Sequence, residues 1–405
     1  MSRKPEAVVT RLRASNFRSI ESIDLALGPL NVLVGQNGVG KSNIIDVLRF
    51  VRDCINRGVD QALLDRGGMG LVRRYGSLAP GSDIVIELQC TFRGYQVEYG
   101  FTLGRDRRMD YKVSEEHVRA RAVASNRVMV DLRLRNGRFI GKEIPKALES
   151  TRSSSDLILP KQMTLLSLRL ETDPLVALLA TFQVLSTMSF YNISPENLRA
   201  PQQIVSETPF DEKGRNLAAV MRSIKKAKGP ALSDVEGALA RLVDGLCAFE
   251  VHNVGSYLVT KLRYEFHNPN MTSDESKKNG LASDLAQESD GTLRILSILA
   301  ALYQQPLPDL VVIEEPEINI HPGALGVIAD LLQEASLRSQ VLVTTHNPDL
   351  IEHFSPDVLR VVEKSDGVTH AGPVAQDQQE AIRQMLFSTA EIMKMEGLRR
   401  ETAGV

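Results

Sequence analysis

A chain of 405 residues, 43% of them apolar, is long enough for one large two-lobed domain or for two domains, so burying a core is no obstacle. With 48 Lys and Arg against 50 Asp and Glu the net charge is -2, which excludes a protein that coats nucleic acid through its overall charge but leaves local basic faces open. Cys54, Cys90 and Cys247 are odd in number and far apart, excluding a disulfide framework or a clustered zinc site; with no signal-like apolar start and no run of about 18 apolar residues, a cytoplasmic protein without a membrane partner is expected.

Residues 8–16, VVTRLRASN, alternate like an edge strand, and Phe17, Arg18, Ser19 and Ile20 lead into a second alternating strand, ESIDLAL, that ends at Gly28-Pro29. Residues 30–48, LNVLVGQNGVGKSNIIDVL, then read as a buried strand, a glycine-rich loop and an amphipathic helix. Gly35, Gln36, Asn37, Gly38, Val39, Gly40, Lys41 and Ser42 fit G-x-x-x-x-G-K-[ST] at every fixed position, with Asn43 next in line. Gly35 and Gly40 lack the Cβ that would stop the backbone from wrapping phosphate oxygens beside a helix N-terminus. Lys41 adds a point charge near the β- and γ-phosphates, and Ser42 offers a hydroxyl to Mg2+. Ile44, Ile45, Leu48, Val51 and Ile55 lie on one face of a helix that runs to about Asn56 and stops at Gly58.

Residues 58–77 are too rich in glycine to assign. Beyond Pro80 the segments IVIELQCTF, YQVEYGFTL, YKVSEEHVRAR and VMVDLRLRNGRFI, separated by turns such as Arg93-Gly94 and Asn136-Gly137, predict an antiparallel meander. From 146 to 304 the pattern turns helical: PLVALLATFQVLSTM, GRNLAAVMRSIKKA and SDVEGALARLVDGL predict helices, NISPENLRAPQ a turn-rich break, and SYLVTKLRYEFH a return to strand. NPNMTSDESKKNG reads as a polar, mobile loop. From 305 to 375 come two buried strands and a hairpin turning at Asp366-Gly367, and 376–405 suggest one helix and a frayed tail. No repeat and no sustained a/d heptads occur, which excludes a long coiled-coil arm.

A phosphate loop says only that a nucleotide binds; hydrolysis needs carboxylates at the end of another strand. Leu310, Val311, Val312, Ile313, Glu314 and Glu315 supply them in a Walker B pattern. Glu314 would hold Mg2+, directly or through water, and Glu315 would polarise the attacking water as general base. Ser289, Asp290, Gly291 and Thr292 open a strongly apolar helix, which reads equally as a plain N-cap or as an anion site serving a partner's nucleotide. His346 ends the strand VLVTTH, where it is either structural or placed to sense a γ-phosphate. Residues 105–146 hold twelve Lys and Arg against six Asp and Glu, a solvated sheet face in preference to a DNA contact.

In this order, NFRSI, GQNGVGKS, ESDGT, VVIEEPEINIHP and VLVTTHN resemble the head domains of ABC-type ATPases, and among them RecF-like predicted ATPases of the AAA_21 and overcoming-lysogenization-defect group. The resemblance implies an α/β P-loop NTPase fold: a mixed central sheet with an antiparallel β subdomain and an inserted helical lobe. Lobe I would comprise 1–145 and 305–375, lobe II 146–304 with the signature helix, and 376–405 the C-terminal helix. It further implies ATP and Mg2+ as ligands, Walker A at Gly35 to Ser42, a signature at Ser289, Gly291 and Thr292, a D-loop through Asn319 and His321, a switch at His346, and a nucleotide contact from Arg18. Two departures stand out: ESDGT replaces LSGGQ, and the Q-loop glutamine has two candidates, Gln162 and Gln183. The segment after His346 lacks the clustered acidic residues of a Toprim nuclease, so any nuclease is expected as a separate subunit. A homodimer closed by ATP is implied, acting in DNA maintenance or repair, or alternatively as a sensor that gates a separate effector, as in anti-phage defence.

Overall fold

The computed structural model describes residues 7–74, 82–106, 110–140, 176–204, 209–265 and 280–401. The chain opens with strands β1 (Ala7–Phe17), β2 (Ile20–Ala26) and β3 (Leu30–Val34), then helices α1 (Lys41–Arg57), α2 (Val59–Leu64) and α3 (Met69–Val72). The meander follows as β4 (Ile84–Phe92), β5 (Tyr95–Asp106), β6 (Asp110–Ala122), β7 (Val128–Arg135) and β8 (Arg138–Phe139). Next come α4 (Val176–Thr187), β9 (Ser189–Tyr191), α5 (Glu196–Arg199), β10 (Gln202–Gln203), α6 (Leu217–Ala227) and α7 (Pro230–Leu242), then β11 (Leu246–Val254), β12 (Tyr257–Tyr264) and β13 (Leu281–Asp284). The last elements are α8 (Asp290–Tyr303), β14 (Leu310–Glu314), α9 (Leu325–Ala335), β15 (Gln340–Thr345), α10 (Pro348–Ile351), β16 (Leu359–Ser365), β17 (Val368–Pro373), α11 (Gln376–Arg383) and α12 (Thr389–Met395).

Thirteen strands form one mixed sheet in the order β8-β7-β6-β5-β4-β1-β2-β17-β16-β3-β15-β14-β9. Its meander half is antiparallel, whereas β16, β3, β15, β14 and β9 run parallel. The difference is written in burial. β3, β14 and β15 are buried at every residue, as parallel strands covered on both faces must be, while β4 alternates. Leu33, Val312 and Leu342 face one core with α1 and α4, and Val32, Val34, Val311, Ile313, Val341 and Val343 face the other with α8 and α9. The fold is thus the α/β P-loop architecture expected, with the antiparallel subdomain continuous with the central sheet.

Four segments differ from their sequence reading. β1 lies between β2 and β4 instead of at an edge, because alternation marks one solvated face and not an open side. The second lobe is less helical than expected: β10, β11, β12 and β13 form a separate antiparallel sheet under α6 and α7. β11 was hidden where the amphipathic run of α7 continues toward it, and Gly245, at φ 71, breaks the path. The tail carries two helices, divided at Met385 (φ 55), and the second starts with a capping box between Ser388 and Glu391. Residues 176–191 fall in the stretch expected to join lobe II, yet α4 packs on α1 and the meander and β9 edges the main sheet. The loop NPNMTSDESKKNG lies outside the described residues up to Gly280. Among the described residues no helix is long and apolar enough to cross a membrane.

Candidate functional site

The parallel register brings three chemical groups to one end of the sheet. β15 pairs with β3 so that Thr345 lies opposite Val34, one residue before Gly35, and β14 pairs with β15 so that Glu314 lies opposite Thr344. Strands about 4.8 Å apart therefore deliver the phosphate loop, the acidic pair and His346 side by side at their carboxyl ends, where open parallel sheets bind ligands.

The loop's glycines have two separate reasons. Gly38 and Gly40 hold φ of 81 and 107, in the left-handed region. At Gly40 a Cβ would also lie 2.1 Å from Thr369 Oγ1, and at Gly35 one would lie 2.3 Å from the Val362 carbonyl. The β16–β17 hairpin thus presses directly on the loop, and Thr369 Oγ1 donates to the Val39 carbonyl at 2.7 Å. Lys41 is buried at 6% exposure and donates to the carbonyls of Gly35 at 2.6 Å and Gln36 at 3.1 Å. Its Nζ is 3.5 Å from Glu315 Oε1.

Ser42 Oγ donates to Glu314 Oε2 at 2.9 Å, and Arg49 reaches the other carboxylate oxygen at 3.3 Å. Hydroxyl and carboxylate oxygens in contact are a hard donor set that fits Mg2+. Glu315 has φ 48, and its N–H donates to the Thr344 carbonyl at 3.0 Å. Glu315 Oε2 is hydrogen-bonded to His346 Nδ1, so the expected base and the expected switch are in direct contact. Behind them Glu317, 6% exposed, accepts from Thr345 Oγ1 and from the His346 N–H; burial pushes its pKa up.

Ser289 caps α8 by accepting the Thr292 N–H at 3.1 Å, and a Cβ on Gly291 would meet the Asn319 carbonyl at 2.4 Å. The expected signature and D-loop segments therefore pack on each other. Arg199 ties the same turn by donating to Asp290 at 2.5 Å and to the Glu288 carbonyl at 2.7 Å. His321 faces its own turn, accepting the Gly323 N–H.

Arg18 is not a free cation: its Nε donates to Asp46 of α1 at 2.7 Å, and its backbone holds φ 49. It lines a cleft beside the loop with Ser19, Asn43, Arg73, Arg74 and Asp366. Asn43 donates to Ser19 Oγ at 2.5 Å, so its side chain faces this cleft. Gln183 is exposed on α4, and Gln162 lies outside the described residues. Four arginines of the meander have partners close by: Arg135 with Glu115 at 2.5 Å, Arg133 with Asp131 at 3.2 Å, Arg119 with Asp131 at 3.6 Å, and Arg121 with Asn126 at 3.0 Å.

Sequence reasoning missed Arg294. It is 5% exposed on α8 and donates to the carbonyls of Ile193 at 2.5 Å, Glu314 at 2.6 Å and Glu315 at 2.8 Å, joining α8 to the acidic pair. An arginine within an otherwise apolar helix was the available signal, since such a charge is buried only when its donors are used.

Residues 30–352 match the AAA_21 family model, described as "AAA domain, putative AbiEii toxin, Type IV TA system". The chain is 48% identical over 44 residues to an OLD nuclease of Thermus scotoductus, covering 11% of this chain and 8% of that one. It is 42% identical over 62 residues to the DNA replication and repair protein RecF of Corynebacterium jeikeium, covering 15% of each. With RecF of Porphyromonas gingivalis it shares 32% over 96 residues, which span 20% of this chain and 26% of that one. The matches thus span no more than about a quarter of these relatives' lengths, 26% at most among the three. Among solved structures, the SMC head domain from Thermotoga maritima aligns with TM-score 0.41 and 16% identity, covering 90% of this chain and 98% of that one. A Pyrococcus furiosus Smc head with an extended coiled coil, bound to the C-terminal domain of ScpA, aligns with TM-score 0.47 and 13% identity, covering 94% and 99%.

Proposed function

The chain belongs to the AAA_21 family, as an ABC-type ATPase of the RecF-like and OLD group, and on that premise we propose that it binds and hydrolyses Mg-ATP in a head dimer closed by the nucleotide. The observation that carries this reading is the continuous contact from Ser42 to Glu314 and from Lys41 through Glu315 to His346, built at the ends of three adjacent parallel strands. Lys41 would leave its loop carbonyls for the β- and γ-phosphates, Glu315 would take the proton of the attacking water, and His346 would contact the γ-phosphate. Mg2+, held by Ser42 and Glu314, would neutralise charge on the phosphate oxygens. Ser289, Gly291 and Thr292 would meet the γ-phosphate bound by the partner's Lys41, so hydrolysis removes the charge that links the two heads.

The output we propose is DNA maintenance or repair, in line with the RecF relatives, which are DNA replication and repair proteins. A second output, gating of a separate effector or nuclease subunit, is favoured by one observation: Arg119, Arg133 and Arg135 of the basic meander are engaged with its own Asp131 and Glu115. Two measurements test the activity and separate these outputs. Phosphate release with Mg-ATP tests the activity, and its absence sinks the reading. ATP-dependent DNA binding that weakens steeply with salt supports the first output, and Arg119, Arg121, Arg133 and Arg135 changed together to Glu should then lower it without altering basal hydrolysis. No DNA binding at low salt leaves the effector.

A further inference from the structure

Glu315, Glu317 and His346 bring a second set of metal-ligand atoms together beside the Ser42–Glu314 pair. Each offers one ligand atom, and the three atoms lie within 4.8 Å of one another. The end of β14 brings both carboxylates and the end of β15 brings the imidazole. His346 Nδ1 touches Glu315 Oε2 and lies 3.8 Å from Glu317 Oε1.

An independent observation at Glu317 points to a cation. The residue is 6% exposed, and while its Oε1 accepts two hydrogen bonds, its Oε2 is buried with no donor. A buried carboxylate oxygen without a donor is a group that a metal ion satisfies. The neighbouring guanidinium of Arg294 does not serve it by its terminal nitrogens, which donate to the carbonyls of Ile193, Glu314 and Glu315.

We propose that Glu315, Glu317 and His346 constitute an inhibitory transition-metal site, selective for Zn2+ over Mg2+. An imidazole with two carboxylates suits Zn2+, whereas Mg2+ keeps to oxygen ligands and sheds its waters reluctantly. Zinc bonds of about 2.0–2.2 Å at tetrahedral angles put ligand atoms roughly 3.3 Å apart, so His346 Nδ1 and Glu315 Oε2, now in direct contact, separate to admit the ion, while the Glu317 carboxylate, whose Oε1 lies 3.8 Å from His346 Nδ1, draws in. His346 is 42% exposed at its side chain, which gives the ion an entry from solvent. The ion then holds the base and the switch together: it occupies Glu315 Oε2 and lowers the basicity of the whole carboxylate, and His346 cannot turn to the γ-phosphate.

The inhibition rests on the proposed hydrolysis, but zinc binding does not. The test titrates zinc sulfate into the full chain against a chromophoric zinc chelator, in millimolar Mg2+. One Zn2+ per chain is expected, weakened by on the order of 100-fold or more in Glu317→Gln and in His346→Gln. Glu314→Gln should bind it as wild type does. His117→Ala and Cys247→Ser serve as controls, since Glu87, Glu98 and His117 are the other ligand group among the described residues and Cys247 is a partly exposed thiol. Absence of binding, or binding lost in a control and kept in Glu317→Gln, overturns the site. In turnover with Mg-ATP, saturating Zn2+ should lower the rate by about 10-fold or more, reversibly on chelation. Unchanged or raised turnover with Zn2+ bound overturns the inhibition, whereas a protein without turnover in Mg-ATP alone overturns the proposed function and leaves the binding titration to decide the site.

Discussion

Glu315 is held in a conformation that non-glycine residues seldom adopt, and its neighbours show why it stays there. At φ 48 it carries a strain of order 1–3 kcal/mol, offset by the Thr344 carbonyl accepting its N–H and by Arg294 donating to its own carbonyl. The result is a carboxylate fixed within 3.5 Å of Lys41 and against His346. Glu315→Gln preserves shape and hydrogen bonding but cannot accept a proton, so turnover should fall roughly 10²- to 10⁴-fold while ATP still binds. Lys41→Ala should instead weaken ATP binding. Both outcomes are read from phosphate release beside equilibrium nucleotide binding, and near-normal turnover in Glu315→Gln would move the base to Glu314 or Glu317.

At the scale of elements, what could be read in advance was whatever rests on local geometry. The loop from Gly35 to Ser42, the helix ending at Gly58 and the turns at Asn136-Gly137 and Asp366-Gly367 are set by residues adjacent in sequence, with positive φ at both turn positions. The meander showed in its period of two, because one face of each strand is solvated. Sheet position did not show: β1 alternates whether or not a neighbour covers its open side, and β9 has three residues, too few for any period. Arg294 showed only as a charge within an apolar helix, and its partners did not show, since its three acceptors are carbonyls 20, 21 and 101 residues away in the chain. It makes α8 and the end of β14 one mechanical unit. Arg294→Lys keeps the charge but replaces a rigid fork with a single ammonium that cannot reach all three carbonyls. A displaced Glu315 backbone should then lower kcat by about 10- to 100-fold with nucleotide affinity little changed. An equal loss of affinity and kcat would mean that Arg294 supports the whole lobe instead of the acidic pair.

For the whole molecule, the proposed function requires that the helix ends at Lys41 and Ser289 meet on one nucleotide. Ser289 opens α8 and Lys41 opens α1, and each caps or folds back within its own segment: Ser289 on Thr292, Lys41 on Gly35 and Gln36. A second copy of the chain would give both ends a common ligand. Lys41→Ala removes the phosphate charge and Ser289→Arg blocks the junction sterically, so each variant alone should be inactive. In a mixed dimer one composite site inherits both defects, while the other joins an intact Lys41 to an intact Ser289. Mixing should therefore restore phosphate release. Random pairing makes about half the dimers mixed with one good site each, so recovery of about a quarter of wild type is the ceiling, and less if both sites must fire together. Sites built within one chain would leave the mixture dead at every ratio. That outcome counts against the shared arrangement once size measurements with ATP have shown that mixed dimers form, because only then has each intact Lys41 had an intact Ser289 available to it.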